Sequence, residues 1–118
     1  MKIDYIPEFE EIAKNIKKIE SDLYINLDRN YRSDTFRLVF SSGNQEYRES
    51  FERAARKLGT AEGGTAIINY SYLDTQKYPT VGLEIFGVNS EFPSSQEDVD
   101  KITNLIIEAI NDHDKKRK

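Results

Sequence analysis

The feature that most constrains how this chain folds is a stripe of branched apolar residues near its C-terminus. Across residues 96–111, apolar side chains recur at three- and four-residue steps, and polar side chains fill most of the other positions. This period is typical of a helix with one buried face. Ser94 and Glu97 have the spacing of a capping box, so we expect the helix to begin beside Ser94 and to end near Asn111. The stripe, which needs a second apolar surface to cover, consists of Val99, Ile102, Leu105, Ile106, Ala109 and Ile110.

Four segments supply that surface, because each alternates apolar and polar residues with the period of a half-buried strand. They are residues 23–28, 36–41, 65–73 and 80–88. Short polar connections join the first segment to the second and the third to the fourth, which predicts two hairpins. Strands of a hairpin pair antiparallel, so we expect a four-stranded, mainly antiparallel sheet.

Two further amphipathic helices are predicted, one before each hairpin. The first covers residues 6–19, and the second leads to Gly59, which is the expected C-terminal stop. Ser42 and Gln45 have capping-box spacing at the start of the second helix, with Asn44 as the rival cap. Within that helix, Glu49–Arg53 and Glu52–Arg56 have the four-residue spacing of intrahelical ion pairs.

The predicted element order is therefore α-β-β-α-β-β-α. Three one-sided helices need one surface to cover, which indicates a two-layer α+β fold with all helices on one face of the sheet. The length of 118 residues fits a single domain, for which we expect residues 1–112. Residues 113–118 are charged and carry no apolar anchor, so we expect a flexible tail with a solvated His113.

Composition excludes several classes of function. The chain has no Cys and one His, which argues against disulfides, thiolate chemistry and zinc or copper sites, and we expect no metal or cofactor. The lack of Cys is most compatible with a reducing cytosol, so we expect a cytoplasmic protein. No apolar run approaches the roughly 20 residues of a membrane span, so we expect no membrane partner. The net charge of −4 is unfavourable for general binding to duplex DNA.

No constellation of catalytic residues is visible either. Acid–base catalysis needs a carboxylate perturbed by burial or by a like charge, and the one acid that could lie on an apolar face is Glu84, on a predicted strand between Leu83 and Ile85. Its side chain points away from theirs, because neighbouring strand residues face opposite sides. The Gly-rich connection 59–64 leaves a helix and enters a strand, whereas phosphate-binding loops do the reverse. We predict a non-enzymatic protein with no catalytic residue.

The sheet face turned away from the helices is the first candidate site. A merely solvated face would carry mostly Thr, Lys, Glu and Ser, whereas this face mixes aromatic, β-branched, amide and charged side chains, a composition typical of binding surfaces. Two interpretations stay open: a partner-binding surface, or an ordinary open sheet stabilised by cross-strand pairs or covered by another element. The residues that we assign to partner binding are Tyr24, Arg37, Val39, Ile67, Asn69, Glu84 and Phe86.

The second candidate is a group of arginines around the first predicted hairpin. Arg29, Tyr31 and Arg32 lie in its connection, and Arg37 follows on the next strand. Arginine can clamp phosphate, and an aromatic ring can stack on a base, although exposed arginines near acids are often only solvated. This pattern predicts an alternative function in binding a nucleotide or single-stranded nucleic acid.

The general character of the chain favours a protein-binding module. Small, acidic, cysteine-free α+β proteins without catalytic residues are often inhibitors, immunity-type proteins or phage-encoded regulators, which is an inference from class alone. We therefore expect the partner to be another protein, a second copy of this chain included. A nucleotide or nucleic acid is the alternative partner.

Overall fold

A computed structural model of the protein describes residues 1–30, 37–63, 78–86 and 96–117. The helices are α1 (Glu10–Ile16), which follows a short 3-10 helix at Pro7–Phe9, α2 (Gln45–Leu58) and α3 (Gln96–Arg117). The strands are β1 (Lys2–Asp4), β2 (Tyr24–Asn30), β3 (Arg37–Ser42), β4 (Glu62–Gly63) and β5 (Thr80–Phe86). The protein is thus an α+β protein, as predicted.

The sheet differs from the predicted one. Among the described residues it has five strands, in the order β1-β2-β5-β3-β4, and it is mixed. β1, β2 and β5 run parallel to one another, β3 runs antiparallel to β5, and β4 runs parallel to β3. The prediction of four mainly antiparallel strands is therefore wrong. The predicted strand at 65–73 lies outside the described residues.

The first predicted hairpin is wrong because β5 lies between β2 and β3 and pairs with both. Alternation of apolar and polar residues indicates which face of a strand is buried, but it does not indicate the neighbouring strand. β5 brings three apolar side chains to the core, since Val81, Leu83 and Ile85 are at most 1% exposed. At the centre of the sheet, β5 has a hydrogen-bonded neighbour along each of its two edges.

Two of the helices are crossovers between parallel neighbours. α1 lies between β1 and β2 in the chain, and α2 lies between β3 and β4. Parallel neighbours need such a connection, whereas hairpins need only a turn. The sequence did not reveal β1 and β4, because strands of three and two residues are too short for a period to be visible.

The core lies between one face of the sheet and the apolar stripes of the helices, and α3 packs against both α1 and α2. The predicted stripe of α3 is confirmed, with all six of its residues at most 2% exposed. The predicted inward strand residues that the structure describes are also buried: Leu23, Ile25, Leu27, Leu38, Phe40, Val81, Leu83 and Ile85.

The ends of α2 follow from local chemistry. Asn44 is the N-cap, because its side-chain oxygen accepts a hydrogen bond from the backbone N–H of Tyr47 at 3.0 Å. The Ser42 hydroxyl donates instead to the backbone oxygen of Thr80 at 2.6 Å. Gly59 adopts φ 66°, the left-handed conformation that ends a helix, as predicted.

The C-terminal end of α3 corrects a second prediction. The helix continues through Arg117, beyond the predicted end near Asn111, whereas the division of the chain at residue 112 stays a prediction. His113 is 3% exposed and is therefore not a solvated residue. Polar contacts of α3 with α2, given below, hold this last part of the helix, and the apolar stripe alone did not predict them. In the described part of the chain, no helix combines the length and apolarity that crossing a bilayer requires.

Candidate functional site

Strand register brings four of the predicted site residues together on the outward face of the sheet. Glu84 of β5 lies opposite Val39 of β3, and Phe86 lies opposite Arg37, two residues further along the same face. Tyr24 lies at the other end of the sheet, opposite Thr80. Two neighbouring cross-strand pairs of the predicted surface, Glu84 with Val39 and Phe86 with Arg37, therefore involve the central strand β5. The role of this surface in binding stays a prediction.

Arg37 is held between an aromatic ring and a carboxylate. Its guanidinium carbon lies 5.2 Å from the centre of the Phe86 ring, a cation–π distance. Its Nε donates a hydrogen bond of 2.6 Å to Oε1 of Glu62 on β4. That hydrogen bond lowers the pKa of the Glu62 carboxyl below its ordinary value and raises the pKa of Arg37. We call Arg37, Phe86 and Glu62 the outer-face cluster.

The outer-face cluster lies at the surface. The side chains of Arg37 and Glu62 are 47% and 55% exposed, and Phe86 and Val39 beside them are half-buried. An aromatic ring, an aliphatic side chain and an arginine in one surface patch are typical of the energetic centre of a protein interface.

The other predicted site residues are not all part of this patch. Ile67, Asn69, Tyr31 and Arg32 lie outside the described residues. Arg29 belongs to β2 and not to a hairpin connection, because β2 pairs with β5 as far as Asn30. Arg29 lies opposite Ile85, whose side chain is buried in the core, and so is on the opposite face from the outer-face cluster. The structure therefore separates Arg29 from Arg37.

A second region, which sequence reasoning missed, is a cleft of about 580 Å³ between the first turns of α2 and the C-terminal end of α3. We call it the interhelical cleft. The ionisable residues that line it are Asp22, Glu46, Tyr47, Glu49, Arg53, His113 and Lys116. Among the described residues, no group of three or more His, Asp or Glu side chains has a geometry that could hold a metal ion.

Two stacked rings form one wall of the cleft. The His113 imidazole lies parallel to the Tyr47 ring, with centroids 3.8 Å apart and planes 10° apart. Its Nε2 lies 3.5 Å from Oε2 of Glu46, and its Nδ1 lies 3.8 Å from Oδ1 of Asp114. Within the described ranges, the buried Nδ1 has no hydrogen-bond partner.

Tyr47 connects this wall to the segment before β2. Its hydroxyl donates a hydrogen bond of 2.7 Å to Oδ1 of Asp22 and lies 3.2 Å from the Ser21 hydroxyl. Burial raises the pKa of the Tyr47 phenol above its ordinary value of 10.0. Tyr47 therefore remains a hydrogen-bond donor at any physiological pH and does not act as a base.

Ion pairs join α2 to α3 at the far end of the cleft. Arg53 donates to Asp112 from Nε at 2.9 and 3.1 Å and from Nη2 at 2.7 Å, and Nη2 also lies 3.3 Å from the Ser50 hydroxyl. These hydrogen bonds lower the pKa of Asp112. Lys57 contacts Glu108 at 2.7 Å, one turn further along both helices. We call these two pairs the interhelical ladder.

A signal for the ladder was present in the sequence. Arg53 and Lys57 are four residues apart, and so are Glu108 and Asp112, so opposite charges face each other when the two helices run antiparallel. This spacing becomes informative only when α2 and α3 are known to be neighbours, and that is a property of the tertiary structure.

Comparison with protein-family models, with curated protein sequences and with solved structures finds no match to this chain. Inference about function therefore depends on the geometry of these two regions.

Proposed function

We propose that this protein is a non-enzymatic binding module that recognises a partner protein through the outward face of its sheet, with Phe86 and Arg37 at the centre of the contact. In this role it would act as a small regulator or inhibitor. The observation that supports the proposal best is the arrangement of Arg37, which is held over Phe86 and fixed by Glu62 at the surface.

A pre-positioned arginine favours binding because less side-chain freedom is lost when the partner arrives. Immobilising a long side chain at an interface costs about 0.5–1.5 kcal/mol. Arg37 has already lost part of that freedom through its contacts with Phe86 and Glu62. Val39, which lies opposite Glu62 in β4, adds an aliphatic contact beside them.

The charges around the cluster favour a protein partner over a nucleotide. Arg37 is already paired with Glu62, and the next row of the same face carries Glu84 opposite Asp28 of β2. A phosphate placed on Arg37 would therefore compete with Glu62 and lie on a face that also carries Glu84 and Asp28. Because Arg29 lies on the other face, it adds no positive charge there. We therefore do not propose nucleotide binding at this face.

Site-specific photo-crosslinking tests the proposal. A photoreactive phenylalanine analogue replaces Val39 on the outward face, and in a control protein it replaces Leu58, which is 36% exposed on α2. We expect a discrete adduct at position 39, of a partner protein or of a second copy, that is missing at position 58. With the purified partner, Phe86→Ala should weaken binding about 30-fold, the effect of losing about 2 kcal/mol at an interface anchor.

Two results would contradict the proposal. One is the same set of adducts at both positions, which would indicate contact by collision. The other is unchanged affinity of Phe86→Ala for the crosslinked partner, which would place the interface elsewhere.

A further inference from the structure

We infer that the protein forms a two-fold symmetric dimer through the free edge of β1, which pairs antiparallel with β1 of a second copy. β1 lies at the opposite end of the strand order from β3 and β4, so this contact is separate from the outer-face cluster and does not depend on the proposed function. Three observations support it: the direction of the backbone groups of β1, the order of its charges and an exposed aromatic ring beside it.

The backbone of β1 leaves one set of hydrogen-bonding groups for a further strand. β1 is the first strand in the sheet order, and within the described ranges it pairs only with β2. The N–H of Lys2 donates to the backbone oxygen of Leu23, just before β2, at 3.1 Å. Because backbone groups point alternately to the two edges of a strand, the N–H and C=O of Ile3 point to the free edge. Such an edge is a template for pairing with another chain.

Antiparallel pairing of two β1 strands about Ile3 uses these groups. The two copies of Ile3 form a hydrogen-bonded pair in this register, in which each N–H donates to the C=O of the other copy. A second copy suits the edge because a two-fold contact brings the same segment from both protomers. In the same register, Lys2 of each copy lies opposite Asp4 of the other.

The order of charges in β1 is complementary to itself. Lys2 and Asp4 are exposed and lie on the same face of the strand, on either side of Ile3. Opposite charges that face each other across two strands stabilise the pairing, and like charges destabilise it. Within the described residues, neither side chain forms an ion pair, and the Lys2 ammonium lies 4.4 Å from the centre of the Tyr78 ring. Both charges are therefore available to a second copy, which gives two opposite-charge pairs per dimer.

Apolar side chains add contact area at the same edge. Ile3 is half-buried and packs against the core, and Tyr5, the first residue after β1, is 43% exposed. Antiparallel pairing places the two Ile3 side chains next to each other and brings Tyr5 of each copy beside the start of β1 in the other. Burial of this surface favours the dimer. The ladder is short, so we expect a weak dimer and not an obligate one.

Sedimentation equilibrium of charge-reversed variants tests this inference. Lys2→Glu and Asp4→Lys each place like charges opposite one another, whereas Lys2→Glu/Asp4→Lys restores two opposite-charge pairs. A mixture of the two single variants also restores both pairs, but only in a dimer with one copy of each. The controls Lys18→Glu and Glu20→Lys make the same charge changes at exposed positions beyond α1. Circular dichroism checks that every variant is folded.

We expect the wild type to dimerise with a Kd between about 10 μM and 1 mM. The Ile3 N–H should become protected from hydrogen exchange as the protein concentration rises. Each single variant should dimerise about tenfold more weakly or worse, whereas the double variant, the mixture and both controls should stay within about threefold of the wild type. Phe86→Ala should also dimerise as the wild type does.

Four results would overturn the inference. A wild type that stays monomeric at about 1 mM would exclude the dimer. Single variants that associate as tightly as the wild type would place self-association elsewhere, and if Phe86→Ala then weakens it, the outward face of the sheet carries the contact and the proposed function stands. Equal weakening in the controls would indicate general charge attraction. A mixture of single variants that stays monomeric would exclude this antiparallel register.

Discussion

Two arginine–carboxylate pairs in this molecule have the same chemistry but differ in exposure. The pair Arg53–Asp112 joins α2 to α3 with side chains that are 33% and 21% exposed, and it is multiply hydrogen-bonded. The pair Arg37–Glu62 lies on the outward face with side chains that are 47% and 55% exposed, and it has one short hydrogen bond.

The difference in exposure changes how much each pair contributes to the stability of the fold. A partly buried pair is screened less by water than an exposed one, and losing one partner leaves the other partly desolvated and unpaired, which lowers stability. An exposed pair contributes little to stability because water and salt compete for both charges. The Arg53–Asp112 pair therefore joins the two helices, whereas the exposed Arg37–Glu62 pair is available for the partner contact that we propose.

The largest expected effect comes from the buried apolar stripe of α3. Ile106 of α3 is 0% exposed, so Ile106→Asp buries an unpaired carboxylate. The cost of several kcal/mol is comparable with the total stability of a small domain, about 5–15 kcal/mol, and we expect loss of cooperative unfolding. Circular dichroism melting measures this. Asn104→Asp, at an exposed position of the same helix, should melt as the wild type does.

Breaking the ladder should have a smaller effect. Arg53→Ala leaves the partly buried Asp112 without its guanidinium, and we expect a loss of about 1 kcal/mol in urea denaturation. Arg56→Ala removes an exposed arginine from the same helix and should change stability less. Equal losses in the two variants would indicate that the ladder does not hold α2 and α3 together.

The stabilisation that the Arg53–Asp112 pair provides should depend on pH. The hydrogen bonds from Arg53 hold the pKa of Asp112 below its ordinary value of 3.8, so the folded state binds this proton more weakly than the unfolded chain does. The stabilisation is therefore fully present above the ordinary pKa and is lost as the pH falls through the lowered one. The stability difference between the wild type and Asp112→Asn should shrink as the pH drops below 3.8. A difference that stays constant down to pH values where both states are protonated would contradict this reading of Asp112.

The smallest expected effect on stability is at the outer-face cluster. Arg37→Ala should shift the melting temperature by no more than about 1 °C, because its pair with Glu62 is exposed. A large shift would place Arg37 in a structural role and would remove the contrast with Arg53.

Much of the local structure was predictable from the sequence, because burial leaves a period in it. The stripe of α3, the inward residues of β2, β3 and β5 and the helix stop at Gly59 all follow from local patterns. The outward positions of Arg37, Val39, Glu84 and Phe86 follow from the same alternation, which is why the main candidate surface could be drawn in advance.

The arrangement of these elements could not be predicted in the same way. The position of β5 between β2 and β3 depends on which distant strand buries the most apolar surface, and no local pattern encodes that choice. The interhelical cleft depends on contacts between residues far apart in the chain. Arg53 has Glu49 at intrahelical spacing, yet its hydrogen-bonded carboxylate is Asp112, 59 positions away. His113 looked solvated among charged neighbours because its stacking partner Tyr47 lies on another helix.

The decisive measurement for the proposed interface compares Phe86→Ala with Arg53→Ala in the same two assays, affinity for the crosslinked partner and thermal melting. We expect opposite outcomes for the two variants. Phe86→Ala should lose about 30-fold in affinity with little change in melting temperature, and Arg53→Ala should melt earlier and bind as the wild type does while folded. If Phe86→Ala instead lowers the melting temperature strongly and leaves affinity unchanged, the outward face is part of the structural core, and the proposed interface is wrong.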